Sequence, residues 1–334
     1  MSFAFERATA RTWVAIVAAF GSLWLPPSIV RGAQPSRLSL EAGAHLDEII
    51  NIFQAQWLHR DGFDWDQFRQ KVHEQAGAAQ TIPDTYDAIR LALTLLGDRH
   101  SYYLTASGDS ITAPSPVADC RPSSPATLPP LPPDVGYVRV RIDNVLTPGA
   151  IQDAVRKNDR PAAIGWIVDL RDSHDGSIWA ALAGIGPLLG EGTAGFFADA
   201  THSSRWGYGG GDAWIDEGEP VTHLTTAHVD APYHLATIDA RVAVLTDAGV
   251  VSSGEAIAIA FRGRPNTRSF GMPTCGLSTA VDPIPLRTGG QLGVVTAVMA
   301  DRTKHEYGGP VVPDEVIADS AAVVPRAIAW LRER

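Results

Sequence analysis

Between residues 38 and 104 the apolar positions recur at helical spacing. Leu46, Ile49, Ile50, Phe53 and Trp57 follow the i, i+3, i+4, i+7 pattern of a buried helix stripe. Asp64 is placed to cap a second helix carrying Trp65, Phe68 and Val72. Asp84, just after Pro83, is placed to cap a third carrying Ile89, Leu93 and Leu96, and Gly97 stands where a helix C-terminal glycine belongs. Three short helices without strands predict a small helical subdomain over residues 34–107. The stretch 114-PSPVADCRPSSPATLPPLPP-133 then holds eight prolines in twenty residues, which neither a helix nor a central strand tolerates. Residues 108–134 therefore read as a proline-rich linker or an extended wrap.

From residue 135 the period changes. 135-VGYVRVRI-142 alternates like a half-buried strand, whereas 162-AAIGWIVDL-170 and 241-RVAVLTD-247 are nearly continuous apolar runs, as in strands buried on both faces. 177-SIWAALAGIGPLL-189 and 319-DSAAVVPRAIAWLRER-334 read as helices, and 290-GQLGVVTAVMADR-302 is rich in β-branched residues. Strands alternating with helices predict an α/β core over residues 135–334 with some parallel pairing.

The first residues belong to a different class. Arg7 and Arg11 precede the apolar 13-WVAIVAAFGSLWL-25, and Pro26, Pro27 and a small-residue region near Gly32 and Ala33 follow. This is the layout of a signal peptide over residues 1–33, which implies a periplasmic or extracellular protein. An uncleaved N-terminal anchor is the alternative, but the run is short of the ~20 apolar residues of a spanning helix. Without residues 1–33, Arg7, Arg11, Arg31 and Glu6 leave the count. The balance is then 24 basic against 36 acidic residues, a net of −12. Such a charge disfavours nucleic acid and anionic membrane surfaces as partners. With 45% hydrophobic and 19% charged residues, the rest of the chain has ordinary globular composition. Its two cysteines, Cys120 and Cys275, form no C-x-x-C motif; a disulfide and two free thiols are both compatible with export.

Three segments carry candidate chemistry. In 241-RVAVLTDAGVVSSGEAIAIA-260 a strand, a tight turn and a helix bring Ser252 to a helix N-terminus, where free N–H groups can stabilise an oxyanion. Ser252 followed by Glu255 is equally a capping box, so cap and nucleophile both stand as readings. In 97-GDRHSYYL-104 a histidine lies just past a helix end, and a neutral imidazole is the usual general base at pH 7. In 168-VDLRDSHDGSIW-179 a strand runs into a polar loop with Gly176, whose N–H can face a cleft at the sheet edge. No H-x-x-x-H pair with an acid occurs, and His223, His228 and His234 are five and six residues apart, so no metal site is expected.

Together, 97-GDRHS-101, 168-VDLR-171, 252-SSGEA-256, 270-FGMPTCGLSTA-280 and the closing 301-DRTKHEYGGPVVPD-314 resemble the S41 family of serine peptidases, from about Leu40 to the C-terminus. The resemblance implies an α/β core of the crotonase/ClpP-like type with a small N-terminal helical subdomain, a peptide or protein substrate and no cofactor. It implies Ser252 as nucleophile, three residues before Glu255, with the N–H groups of Ser253 and Gly176 as the oxyanion hole. The tail-specific branch carries a lysine base in a T-x-G-K segment; here that position is Leu277, so a Ser–Lys pair is excluded. The tricorn and nisin-resistance branches place a histidine in the helical region, and His100 matches it. Glu306 and Asp98 are the candidate acids for orienting that histidine. The chain has no room for a PDZ domain, which points to the shorter branch. Asp175 stands where the family has glycine, and an acidic side chain there would repel an oxyanion. That departure favours the rival reading, a catalytically impaired ligand- or peptide-binding protein on the same scaffold. A crotonase-type acyl-CoA enzyme is a further rival, disfavoured by export.

Overall fold

The computed structural model describes residues 37–333 except 115–119, 121–127, 143–146, 161–162, 175, 219 and 238. The expected signal segment and Asp175 therefore lie outside the described residues. The chain begins with three helices, α1 (Leu40–Gln56), α2 (Trp65–Ala76) and α3 (Tyr86–Leu96), and a hairpin of β1 (Tyr102–Leu104) and β2 (Ser110–Thr112). Then come β3 (Val135–Arg139), α4 (Pro148–Asn158), β4 (Gly165–Asp169) and α5 (Ile178–Leu189). A meander follows, of β5 (Gly192–Ala198), β6 (Ser203–Gly209), β7 (Asp212–Glu217) and β8 (Thr222–His228). The rest is β9 (Val242–Thr246), α6 (Ser253–Ala260), β10 (Thr267–Gly271), β11 (Thr279–Pro285), β12 (Gln291–Asp301), β13 (Glu315–Val316) and α7 (Ser320–Arg332).

The first helices start where short polar side chains satisfy free N–H groups. Ser39 Oγ accepts from Ala42 N at 3.1 Å, and Asp64 Oδ1 accepts from Gln67 N at 2.9 Å. Asp84 departs from its expected role. It accepts from Gln80 N and Thr81 N at 3.0 and 2.9 Å, so it closes the preceding turn rather than capping α3. Gly97, at φ 74°, ends α3 in the left-handed conformation. The expectation of helices without strands fails at the β1–β2 hairpin, whose strands are too short to show a period. β1 also pairs antiparallel with β12, Tyr102 opposite Gly293. Leu46, Ile50, Phe53 and Leu93 of the helices share one core with Leu292, Val294 and Val295 of β12. Packing thus crosses the boundary expected at residue 107, and the chain from Arg37 onward is one compact unit.

Two sheets divide the strands. An eight-stranded sheet runs β2-β1-β12-β5-β6-β7-β8 with β11 also paired to β12, and every pairing in it is antiparallel. A five-stranded parallel sheet runs β13-β10-β9-β4-β3. The apolar runs of β4 and β9 are buried at all five positions, as their sequences predict. Alternation divides their side chains between two layers. Trp166, Val168, Val242 and Val244 face the core built with α4, α5 and α6. Ile167, Ala243 and Leu245 join Phe270 against Val323, Val324, Ala327 and Trp330 of α7. Each fully buried Val, Leu, Ile or Phe among them contributes about 1.5–3 kcal/mol. Such a sheet exposes only its strand ends, so the loops leaving β4, β9 and β10 lie side by side at its carboxyl edge. No helix among the described residues is long and apolar enough to cross a membrane.

Candidate active site

The turn after β9 is fixed before any ligand arrives. Asp247 Oδ1 accepts from Gly249 N at 2.9 Å and from Asp172 N at 3.0 Å, joining the loops that leave β9 and β4. Burial pushes the Asp247 carboxyl up, against the pull of these two bonds. Val251 N donates to Ser173 O at 3.0 Å. A Cβ on Gly254 would stand 2.6 Å from that same oxygen, so the first turn of α6 approaches the β4 loop as only glycine permits. Ser252 lies at φ 50°, ψ −107°, a conformation that typically costs a residue with a Cβ about 1–3 kcal/mol.

Glu255 holds Ser252 there. Its carboxylate, wholly buried, accepts from Ser252 N at 2.9 Å, as the Glu arm of the expected capping box. It also accepts from Thr274 Oγ1 at 2.5 Å, Gly276 N at 2.8 Å and Leu277 N at 2.7 Å. Burial pushes the Glu255 carboxyl up, while Thr274 and the three N–H groups pull the other way. One carboxylate therefore sets both the turn that carries Ser252 and the loop that leaves β10.

Ser252, Ser253 and Gly176 line one cavity of about 680 Å³ together with His100, Leu277 and Thr279. The Ser253 hydroxyl donates to the Gly176 carbonyl, which ties the polar loop after β4 to the start of α6. His100 reaches the same cavity from the antiparallel sheet, at the turn before β1. Asp98 shapes that turn: Oδ1 accepts from His100 N at 2.9 Å and Ser101 N at 2.8 Å. Its Oδ2 accepts from Ser101 Oγ and Trp57 Nε1, each at 2.7 Å. These bonds show Asp98 acting on the main chain of His100, whereas the ring's Nδ1 lies 2.7 Å from Thr279 Oγ1 at the start of β11. Thr279 stands within residues 270–280, yet no local pattern marks it, because its partner is 179 residues away in the chain.

Glu306 is elsewhere. It bridges Ala300 and lines a smaller cavity of about 280 Å³ with Phe196, Ala198 and Lys304. Phe197 and Met299, the alternate neighbours on β5 and β12, line the large cavity instead. Successive strand residues point to opposite faces, so Glu306 stands across the sheet from His100 and does not orient it. Cys120 and Cys275 form a disulfide with Cα atoms 5.2 Å apart. It joins the proline-rich stretch to the loop leaving β10, where Cys275 N also donates to Val250 O at 2.9 Å.

Comparison with known proteins extends these observations. The chain is 25% identical over 283 residues to the nisin-resistance protein of Lactococcus lactis subsp. lactis, covering 83% of each. In structure it is similar to a lipoprotein from Streptococcus agalactiae, with a TM-score of 0.65 and 18% identity over 88% of this chain and 97% of that one. It is also similar to a photosystem II D1 C-terminal processing protease, with a TM-score of 0.55 and 15% identity over 83% and 93%. At these identities the structural likeness speaks for the fold. A model of peptidase family S41 matches residues 134–317, more than half of the chain and the whole span from β3 to β13, and the protein accordingly belongs to that family.

Proposed function

We propose that this protein is an exported serine-type endopeptidase whose nucleophile is Ser252 and whose base is His100. The observation that carries the reading is the meeting of His100, Gly176, Ser252 and Ser253, far apart in the chain, around one cavity. Ser252 Oγ attacks the peptide carbonyl while His100 takes its proton. In the tautomer that carries its proton on Nδ1, that N–H donates to Thr279 and Nε2 is the nitrogen that receives the serine proton. The C–O bond forms, the C–N bond breaks, and the same proton passes to the leaving amine. Water then attacks the acyl-enzyme carbonyl and gives a proton to His100; the ester C–O bond to Ser252 breaks, His100 returns the proton to Ser252 Oγ, and the acid leaves. The N–H groups of Ser253 and Gly176 hold the oxyanion, and losing one such donor costs roughly 10²–10³ in rate. Export is supported by the signal-like residues 1–33, the disulfide and the likeness to a protein described as a lipoprotein.

The test is hydrolysis of a mixed peptide library by the mature protein beside Ser252→Ala and His100→Ala. Each variant is expected to lose at least about 10³-fold in kcat. Equal cleavage by all three proteins would remove the dyad. No cleavage by any of them would favour a peptide-binding role on the same scaffold.

A further inference from the structure

Arg99 stands beside His100 and lines the same cavity, yet the steps above leave it without a task. Its backbone is left-handed at φ 62°, rare for a residue with a long side chain. The turn that imposes this φ is held by Asp98 through the N–H groups of His100 and Ser101. Among the described residues no hydrogen bond or ion pair engages the Arg99 guanidinium, and its Nε is buried without a partner. Arg171, Arg205, Arg262 and Arg326, by contrast, each hold a carboxylate. Glu217 and Asp282 line the cavity too, but neither comes within ion-pair distance of Arg99. A buried N–H left unpaired is costly, and a guanidinium presents a fork that matches a carboxylate on two parallel bonds.

We propose that Arg99 anchors a carboxylate of the bound peptide. The proposal rests on the peptidase reading for its direction. His100 protonates the leaving amine, so its neighbour Arg99 serves the leaving fragment, C-terminal to the cleaved bond. The carboxylate is either the peptide's own C-terminus or an Asp or Glu side chain in that fragment. The substrates favoured are then peptides with a negative charge shortly after the scissile bond, despite the negative charge of the protein as a whole.

Two pairs of fluorescein-labelled random hexapeptide pools separate the sources. One pair differs as C-terminal acid and amide; the other, both amidated, carries a fixed Asp or a fixed Asn. Binding is read by anisotropy on the Ser252→Ala protein, and hydrolysis as kcat and KM on the wild type. One member of at least one pair, the acid or the Asp pool, is expected to bind about tenfold tighter than its neutral counterpart. Arg99→Gln, placed in the Ser252→Ala background, is expected to abolish the preference, and Arg99→Lys to keep part of it. In the wild-type background Arg99→Gln raises KM more than it lowers kcat. Equal binding within both pairs, including no binding of either member, overturns the anchor, as does an unchanged preference in Arg99→Gln. A charge preference in binding without hydrolysis by the wild type would sink the peptidase reading and leave the anchor standing. Hydrolysis indifferent to charge would do the reverse.

Discussion

On the parallel sheet, Ser252 is held by main-chain bonds and a buried carboxylate that gather the loops leaving three adjacent strands. On the antiparallel sheet, His100 is held by an aspartate under its main chain and by a threonine hydroxyl at its ring. Ser252 is therefore part of the packing that makes the fold, whereas His100 stands on a turn built onto it. Damage on the first side should reach stability and activity together. Damage on the second should reach activity with little change in stability.

The largest effect tests the first half of that contrast. Glu255→Ala strips the acceptor from Ser252 N, Thr274 Oγ1, Gly276 N and Leu277 N at once. An unsatisfied buried donor costs about 1–3 kcal/mol, so a loss of at least ~3 kcal/mol is expected, together with loss of hydrolysis. Urea unfolding of Glu255→Ala at near-wild-type stability would break the claim that this carboxylate organises the site. Next comes the disulfide. Replacing Cys120 and Cys275 by serine is expected to lower stability by about 2–4 kcal/mol. Reducing the wild type should reproduce the shift, and a variant that unfolds at the same denaturant concentration as the oxidised protein would contradict it.

The smallest effect on stability sharpens the second half. Thr279→Val removes the hydroxyl beside His100 Nδ1 but keeps the shape of the side chain. A hydrogen bond of this kind is worth about 0.5–1.5 kcal/mol, which corresponds to up to roughly tenfold in kcat. The expected result is a lower kcat at unchanged KM, an unfolding midpoint within about 1 kcal/mol of wild type, and recovery in Thr279→Ser. A loss of stability without loss of kcat would assign Thr279 a purely structural role.

The two sides also differed in how far sequence revealed them. β4 and β9 were legible because burial on both faces leaves an unbroken apolar run, and Ser252 because a serine three residues before a glutamate marks a helix start. His100 is singled out by its place after Gly97 and its resemblance to a family motif. Thr279 is not, since its contact with His100 joins residues 100 and 279 and leaves no local spacing. Of the two candidate acids, Asp98 bonds the main chain of His100, and Glu306 lines a different cavity. The β1–β2 hairpin escapes because three-residue strands carry too few positions for alternation to show.

The pairing of β1 with β12 has a consequence for the order of events as the chain is made. Residues 102–104, next to His100, take their register from residues 291–293. A ribosome releases Ser252 and its helix well before it completes β12. Until that late strand arrives the turn that carries His100 has its Asp98 bonds but not its pairing with β12, and long-range pairings of this kind form slowly. A nascent or truncated chain ending before residue 291 thus holds Ser252 and His100 but lacks the strand on which the His100 turn is registered. On the proposed dyad, activity is expected only once β12 is in place.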